Sequence, residues 1–162
     1  MSQVFDELGQ FAKALPPSRA VAGLDLGTRT IGIAVSDTSL SVASPLKTLR
    51  RKTFAADAET LLALIAGREL GGLVLGLPRN MDGTEGARAQ STRAFARNLS
   101  RLTPAPIAFW DERLSTVAAE RMLLAADTTR KRRGEVIDHV AAGYILQGAL
   151  DRLKHLEREA ET

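Results

Sequence analysis

Residues 24–37, LDLGTRTIGIAVSD, constrain this chain more than any other stretch. Two apolar segments, 20–27 and 30–36, flank a short glycine-containing turn, a pattern that calls for an antiparallel hairpin. The first segment carries Asp25 among apolar neighbours. A buried carboxylate costs on the order of several kcal/mol unless it is protonated, paired or bound to a cation. Gly27, Thr28 and Gly32 allow a tight turn beside it, with backbone and hydroxyl groups able to approach a phosphate or a metal-bound water. The first question is therefore which cation or phosphate Asp25 serves.

The chain has 162 residues, enough for one well-cored domain and short for two. Its apolar share is 44% with no run long enough to span a bilayer, so no membrane association is expected. The absence of cysteine excludes disulfides, thiolate zinc sites and cysteine nucleophiles. Two histidines, His139 and His155, are too few for a His-rich zinc centre, so a bound metal would be held by oxygen, which favours Mg2+ or Mn2+. The net charge is only +3, yet the basic residues cluster: Arg50-Arg51-Lys52, Arg130-Lys131-Arg132-Arg133, and Arg88, Arg93, Arg97 and Arg101 along one predicted helix. Any single run is most simply solvated surface, but two runs flanking acidic positions favour a phosphate backbone as partner.

Val4, Phe5, Leu8, Phe11 and Leu15 recur at helical spacing before Pro16-Pro17, so residues 1–19 read as an amphipathic helical extension. It lacks the features of a signal or transit peptide, and a cytoplasmic location is the default. The domain proper is expected over 20–156, with 157–162 as a polar tail. After the hairpin, 42–49 reads as a third strand that Pro45 confines to an edge or bulge. A helix over 54–68, closed near Gly67 or Gly71, a buried strand over 72–77, a helix over 86–102 and a strand over 106–110 follow. Ser115 or Thr116 opens a further helix carrying Val117, Met122, Leu123 and Ala126, then a basic loop, then a last helix over 135–156. Helical crossovers between the later strands place the first, fourth and fifth strands side by side in parallel. Ligands of such sheets gather beyond the carboxyl ends of the strands, where Asp25, Leu77-Pro78-Arg79-Asn80 and Asp111-Glu112-Arg113 would meet.

Taken singly, each of these acids has an ordinary role. Asp111 suits a turn, Glu112 and Arg113 suit a surface, and Asp138 suits the start of a helix through the dipole. Ala141, Ala142 and Ile145 share a face with Asp138, however, which allows that helix to pack closely on the sheet and hold the carboxylate inward. Converging carboxylates would raise one another's pKa unless divalent cations neutralised them. Two ions roughly 4 Å apart would activate a water and stabilise the leaving oxygen of a phosphodiester.

Together, GLDLGTRTIGIAVSD, VLGLPRNMDGTEGARA, DERLSTVAAERML and RKRRGEVIDHVAAGYILQ resemble the YqgF/RuvX family, collinearly over about residues 21–151. These are bacterial members of the RNase H-like superfamily, described as Holliday junction resolvases and linked to maturation of small-subunit ribosomal RNA. The resemblance implies an α/β RNase H-like fold: a five-stranded mixed sheet, three antiparallel strands then two parallel ones, with helices on both faces. It implies catalytic positions at Asp25, Asp111, Glu112 and Asp138, with one or two Mg2+ or Mn2+ ions on Asp25, Asp111 and Asp138. Between the neighbouring acids, Asp111 is preferred as the inward ligand and Glu112 kept as contender, because a strand end with an unfixed bulge does not settle which side chain points in. The fourth strand carries no acid, so a further ligand must come from the fifth strand or from Glu85.

Gly27, Thr28, Arg79, Asn80, Arg113, Arg130, Lys131, Arg132 and Arg133 are the expected substrate contacts, with Asp82-Gly83 as the turn of the 78–86 loop and Arg79 its most informative member. The loop reads equally well as a plain strand-to-helix connection. His139 is expected to be structural rather than a proton shuttle. The resulting expectation is a metal-dependent nuclease acting on precursor 16S rRNA. The alternatives are branched DNA, which would require a two-fold homodimer, and a non-catalytic RNA-binding module of ribosome assembly. An actin-like or sugar-kinase ATPase, prompted by the Asp25–Thr28 motif, is disfavoured by a length too short for two nucleotide-clamping domains.

Overall fold

The computed structural model describes residues 3–114 and 130–161, the side chains of 130–137 excepted. Its strands are β1 (Val4–Phe5), β2 (Val21–Leu26), β3 (Thr30–Ser36), β4 (Ala43–Arg50), β5 (Gly72–Leu77) and β6 (Ile107–Asp111). Its helices are α1 (Leu8–Ala14), α2 (Phe54–Gly67), α3 (Ala87–Ser100) and α4 (Arg130–Glu161), with one 3-10 turn over Glu112–Leu114. The sheet order is β1-β6-β5-β2-β3-β4. β2, β3 and β4 are antiparallel, and β2, β5, β6 and β1 run parallel.

The mixed sheet with helices on both faces is as expected, except that it has six strands. The added strand is Val4–Phe5, which pairs Val4 with Ile107 and Phe5 with Ala108. Helical spacing across 1–19 hid it because two apolar residues satisfy either period. Only Leu8–Ala14 of that stretch is helical.

Every residue of β2 and β5 is buried, as expected for strands covered on both faces. Ala22, Leu24, Ile31, Ile33, Leu73 and Leu75 pack under Leu61 of α2 and Phe95 and Leu99 of α3. Val21, Ala34, Val74 and Ala108 pack under α1 and under Ala142, Ile145 and Leu146 of α4. Pro45 sits on the edge strand β4, where the pairing slips between Ile33 and Ala34.

Thr53 caps α2, its hydroxyl accepting from the Ala56 amide at 3.2 Å. The left-handed residue that ends this helix is Glu69, at φ 52°, rather than Gly67 or Gly71. The helix expected to carry Val117, Met122, Leu123 and Ala126, with its Ser115 or Thr116 cap, lies outside the described residues. The run from Arg130 to Arg133, expected in a loop, belongs to the backbone of α4, which continues to Glu161 and takes in the polar residues from 157 onward. Among the described residues no helix is long and apolar enough to cross a membrane.

Candidate functional site

Strand register determines where Asp25 points. Val21 belongs to the layer beneath α4, and side chains alternate along a strand, so Asp25 also faces α4. Asp25 pairs with Gly32 across the antiparallel ladder, which puts the two positions on one face. A Cβ added to Gly32 would lie 2.0 Å from the Asp138 carbonyl oxygen. The α4 backbone therefore rests on β3 at the position opposite Asp25, and Asp138 arrives beside it.

Asp25, Gly27, Thr28, Thr30, Arg88 and Asp138 line one open cleft, to which Arg29 also contributes. Asp25 is 4% exposed. The Thr30 hydroxyl donates to Asp138 Oδ2 at 2.6 Å, which fixes the direction of that carboxylate. The hairpin is closed by the Gly27 amide donating to the Thr30 carbonyl at 2.9 Å, leaving Thr28 and Arg29 at its tip. The juxtaposition of Asp25 and Asp138 expected from sequence is present.

The third acid differs from expectation. Asp111 stands next to Leu77 in register, but Arg113 holds its carboxylate, with Nη2 to Oδ2 at 2.7 Å and Nε 3.1 Å from both oxygens. Arg113 thereby keeps the Asp111 carboxyl below the usual carboxylate range. Glu112 instead lies over the sheet: its Oε1 would stand 2.7 Å from a Cβ on Gly76. Leu24 pairs with Leu75, so one step on Asp25 and Gly76 are neighbours, and α4 covers both. Glu112 is the acid brought onto the Asp25 face, and Asp111, preferred as the inward ligand, is committed to an ion pair. Alternation along β6 accounts for the exchange: Ala108 and Trp110 face α4, so position 112 follows them and Asp111 turns to the other face.

Glu85 is engaged too. Arg93 binds it through Nε at 2.6 Å and Nη2 at 2.8 Å, and reaches Asp6 at 2.8 Å. This pairing, chiefly the Arg93 hydrogen bonds, lowers the Glu85 pKa and raises that of Arg93. Arg79 lies 3.6 Å from Glu85. Arg93 also covers the Phe109 ring at 4.9 Å, so the cluster ties β1, β6 and α3 to the loop after β5.

Asn80 serves that loop internally, its side-chain amide donating to the Thr84 hydroxyl at 2.9 Å. Asp82 accepts from the Thr84 amide and hydroxyl, and Gly83 takes φ +89° in the expected turn. Arg113 Nη1 donates to the Met81 carbonyl at 3.3 Å. Arg79, Asn80 and Arg113 are thus seen in contacts that shape the loop. His139 Nδ1 lies 3.0 Å from the Thr48 hydroxyl of β4, which gives that ring a structural partner. The side chains of Arg130, Lys131, Arg132 and Arg133 lie outside those described.

Sequence reasoning missed Arg51 and Arg88 as members of the site. Arg51 Nη1 donates to the Gly27 carbonyl at 2.6 Å and its guanidinium covers Phe95 at 5.6 Å. Arg88 lines the acidic cleft directly. The signal was the basic residue just inside the start of a helix that follows the fourth expected strand.

A mixed sheet of this order, with Asp25 of β2 and Asp138 of α4 lining one cleft, gives a protein of the RNase H-like fold class. Thermus thermophilus RuvC in complex with Holliday junction substrate shares this fold, with a TM-score of 0.53 at 12% identity over 84% of this chain and 96% of that one. The model of the family described as "RuvX: Holliday junction resolvase" matches residues 19–152, and the chain belongs to that family. Proteins of Ruegeria pomeroyi and Paracoccus denitrificans, each named "Putative pre-16S rRNA nuclease", are 69% and 70% identical to it. The first alignment spans 94% of this chain and 99% of its relative, the second 96% and 98%.

Proposed function

We infer that this chain is a cytoplasmic hydrolase that cuts phosphodiester bonds of precursor 16S rRNA, with Asp25, Glu112 and Asp138 as its catalytic acids. The observation that carries the reading is the shared cleft of Asp25 and Asp138, residues far apart in sequence that the β2–β3 register and the close approach of α4 bring to one place. The names of the relatives support RNA as substrate.

The donor chemistry fits a hard divalent cation: carboxylate oxygens, a buried Asp25, and neither cysteine nor histidine lining the cleft. Among the described residues no three acids or histidines stand close enough to one another to form a ready metal-holding group. Asp25, Glu112 and Asp138 are the residues that would hold such a cation. When bound, Mg2+ or Mn2+ would supply an activated water and charge neutralisation at the phosphate.

The chain's own groups have separate tasks. Thr30 holds Asp138 in one orientation, α4 shields the base of the cleft, and Arg29 and Arg88 offset the acids' repulsion of a polyanion. Asp111, locked to Arg113, braces the turn that presents Glu112.

The test is cleavage of a precursor 16S rRNA fragment and of a four-way DNA junction with Mg2+ or Mn2+, comparing wild type with Asp25→Asn and Asp138→Asn. Wild type should cut the RNA, and each variant should lose at least about a hundredfold in rate, the lower range for removing a group that acts on the reacting atoms. Preferential cutting of the junction by a two-fold dimer would make branched DNA the substrate. Tight RNA binding with no cutting under any metal would leave a binding module.

A further inference from the structure

A second pocket lies directly against the acidic cleft. Gly27, Thr28, Arg51, Arg88, Ser91 and Phe95 line it, and no carboxylate does among the described residues. Gly27, Thr28 and Arg88 belong to both depressions, so they form a common wall. Two guanidiniums and several hydroxyls in a concavity without acids match a phosphate group.

The two arginines are prepared in different ways. Arg51 is half-buried and immobilised by the Gly27 carbonyl and the Phe95 ring, and forms no ion pair with a described residue. Arg88 is exposed and likewise unpaired. Gly86 provides no side-chain cap to α3, so the first amides of this helix add donors at the same wall.

The remaining arginines of α3 do not share this role. At about 100° per residue, Arg93 and Arg97 lie roughly 140° and 180° around the helix from Arg88, and Arg101 is the C-cap at its far end. Arg93 is moreover engaged with Glu85 and Asp6. The basic periodicity of α3 is therefore a single site residue and a set of others facing away, not a continuous stripe.

We propose that this basic pocket holds the backbone phosphate adjoining the one attacked, so that Arg88, with Arg51 behind it, positions the nucleic-acid strand across the acidic cleft. The proposal rests on the nuclease reading, because an adjoining phosphate implies an attacked one. Arg88 and Arg51 are positioning residues: they fix the strand and touch no reacting bond.

The experiment uses the full chain and a fluorescent unstructured RNA of about 12 nucleotides, with EDTA present so that nothing is cut. Affinity is read against KCl between about 50 and 300 mM. Each phosphate contact on a single strand contributes about 0.7 to the log–log salt slope. Arg88→Ala should lower the slope by about 0.7, Arg88→Lys should retain it, and Arg97→Ala should leave it unchanged. An unaltered slope in Arg88→Ala, or an equal fall in Arg97→Ala, overturns the proposal.

A neutral methylphosphonate moved through the RNA one position at a time gives a local reading. One position should weaken binding by wild type and cause no further loss in Arg88→Ala, and wherever the RNA is cut that position should adjoin the cut. Losses that add at every position overturn the pocket. A wild type that shows the coupling without ever cutting leaves the pocket standing and removes the nuclease reading; one that cuts without coupling removes the pocket alone.

Discussion

Asp138 stands where a side chain on Gly32 would be, and that exclusion is the most exacting residue-level requirement of the site. A methyl group there would meet the Asp138 carbonyl at 2.0 Å, far inside van der Waals contact, and backbone cannot rotate away as a side chain can. Gly32→Ala is expected to cost about 1–3 kcal/mol by overpacking, measured by urea unfolding, and to lower cleavage by lifting Asp138 from Asp25. Unchanged stability and activity would mean that α4 does not rest on β3. The neighbouring acids give a second test. Glu112→Gln should lose cleavage while Asp111→Asn keeps most of it, since Asp111 is neutralised by Arg113; the opposite ranking would restore Asp111 as the inward acid. Asp25 was legible in the sequence because a carboxylate set between apolar strand residues is costly to bury unless it meets a cation or a donor. Glu112 was not, because the choice between adjacent acids depends on which face of β6 packs under α4, and the apolar run 107–110 fits either face. Nor was the purpose of Gly32 legible. It was read as freedom for a turn, whereas its φ is not positive and its function is to be small.

At the scale of elements, the turn joining β3 to β4 shows how short polar residues fix strand geometry. Asp37 Oδ1 accepts from the Ser41 amide at 2.8 Å and the Val42 amide at 3.1 Å, and Ser39 donates to Oδ2. These bonds, that from Ser39 foremost, lower the Asp37 pKa from 3.8 to about 2. A carboxyl whose folded pKa is depressed adds stability above its unfolded value and loses it as pH falls through the folded one. Wild type should therefore lose more stability than Asp37→Asn on going from about pH 4 to pH 2, measured by denaturant titration at each pH. Equal losses would show that the turn does not depend on the ionised form. The long elements were legible because their apolar periods extend over many residues: the buried strand over 72–77 was located from its run alone. The two-residue strand β1 and the start of α4 were not. β1 exists through pairing with β6, far away in sequence, and the basic run from Arg130 to Arg133 resembles a loop until the helix it joins is known.

For the whole molecule, the sheet is the device that gathers charge. β2 contributes Asp25, the turn after β6 contributes Glu112, and α4 contributes Asp138 while crossing above them. The crossover rule anticipated that the segments after β2, β5 and β6 lie at one edge, because parallel strands with helical connections carry their following loops there, whereas Asp138 was placed through the small-residue face of its helix. Its side-chain detail depends on how closely α4 approaches the sheet, which Gly23, Gly32 and Gly76 permit jointly and which no single segment encodes. A cation held by all three segments binds the folded chain and not the unfolded one, so it should stabilise the molecule globally. At a concentration ten times its dissociation constant the gain is about 1.4 kcal/mol, or roughly 3–6 °C in Tm for a chain of this size. Asp25→Asn should abolish that increment. Calorimetry of both proteins across a Mg2+ titration, with Ca2+ as a second cation and KCl holding ionic strength constant, separates site binding from general screening. A Tm that rises equally in wild type and Asp25→Asn would place the cation elsewhere and leave the acids of β2 and α4 without the role assigned to them.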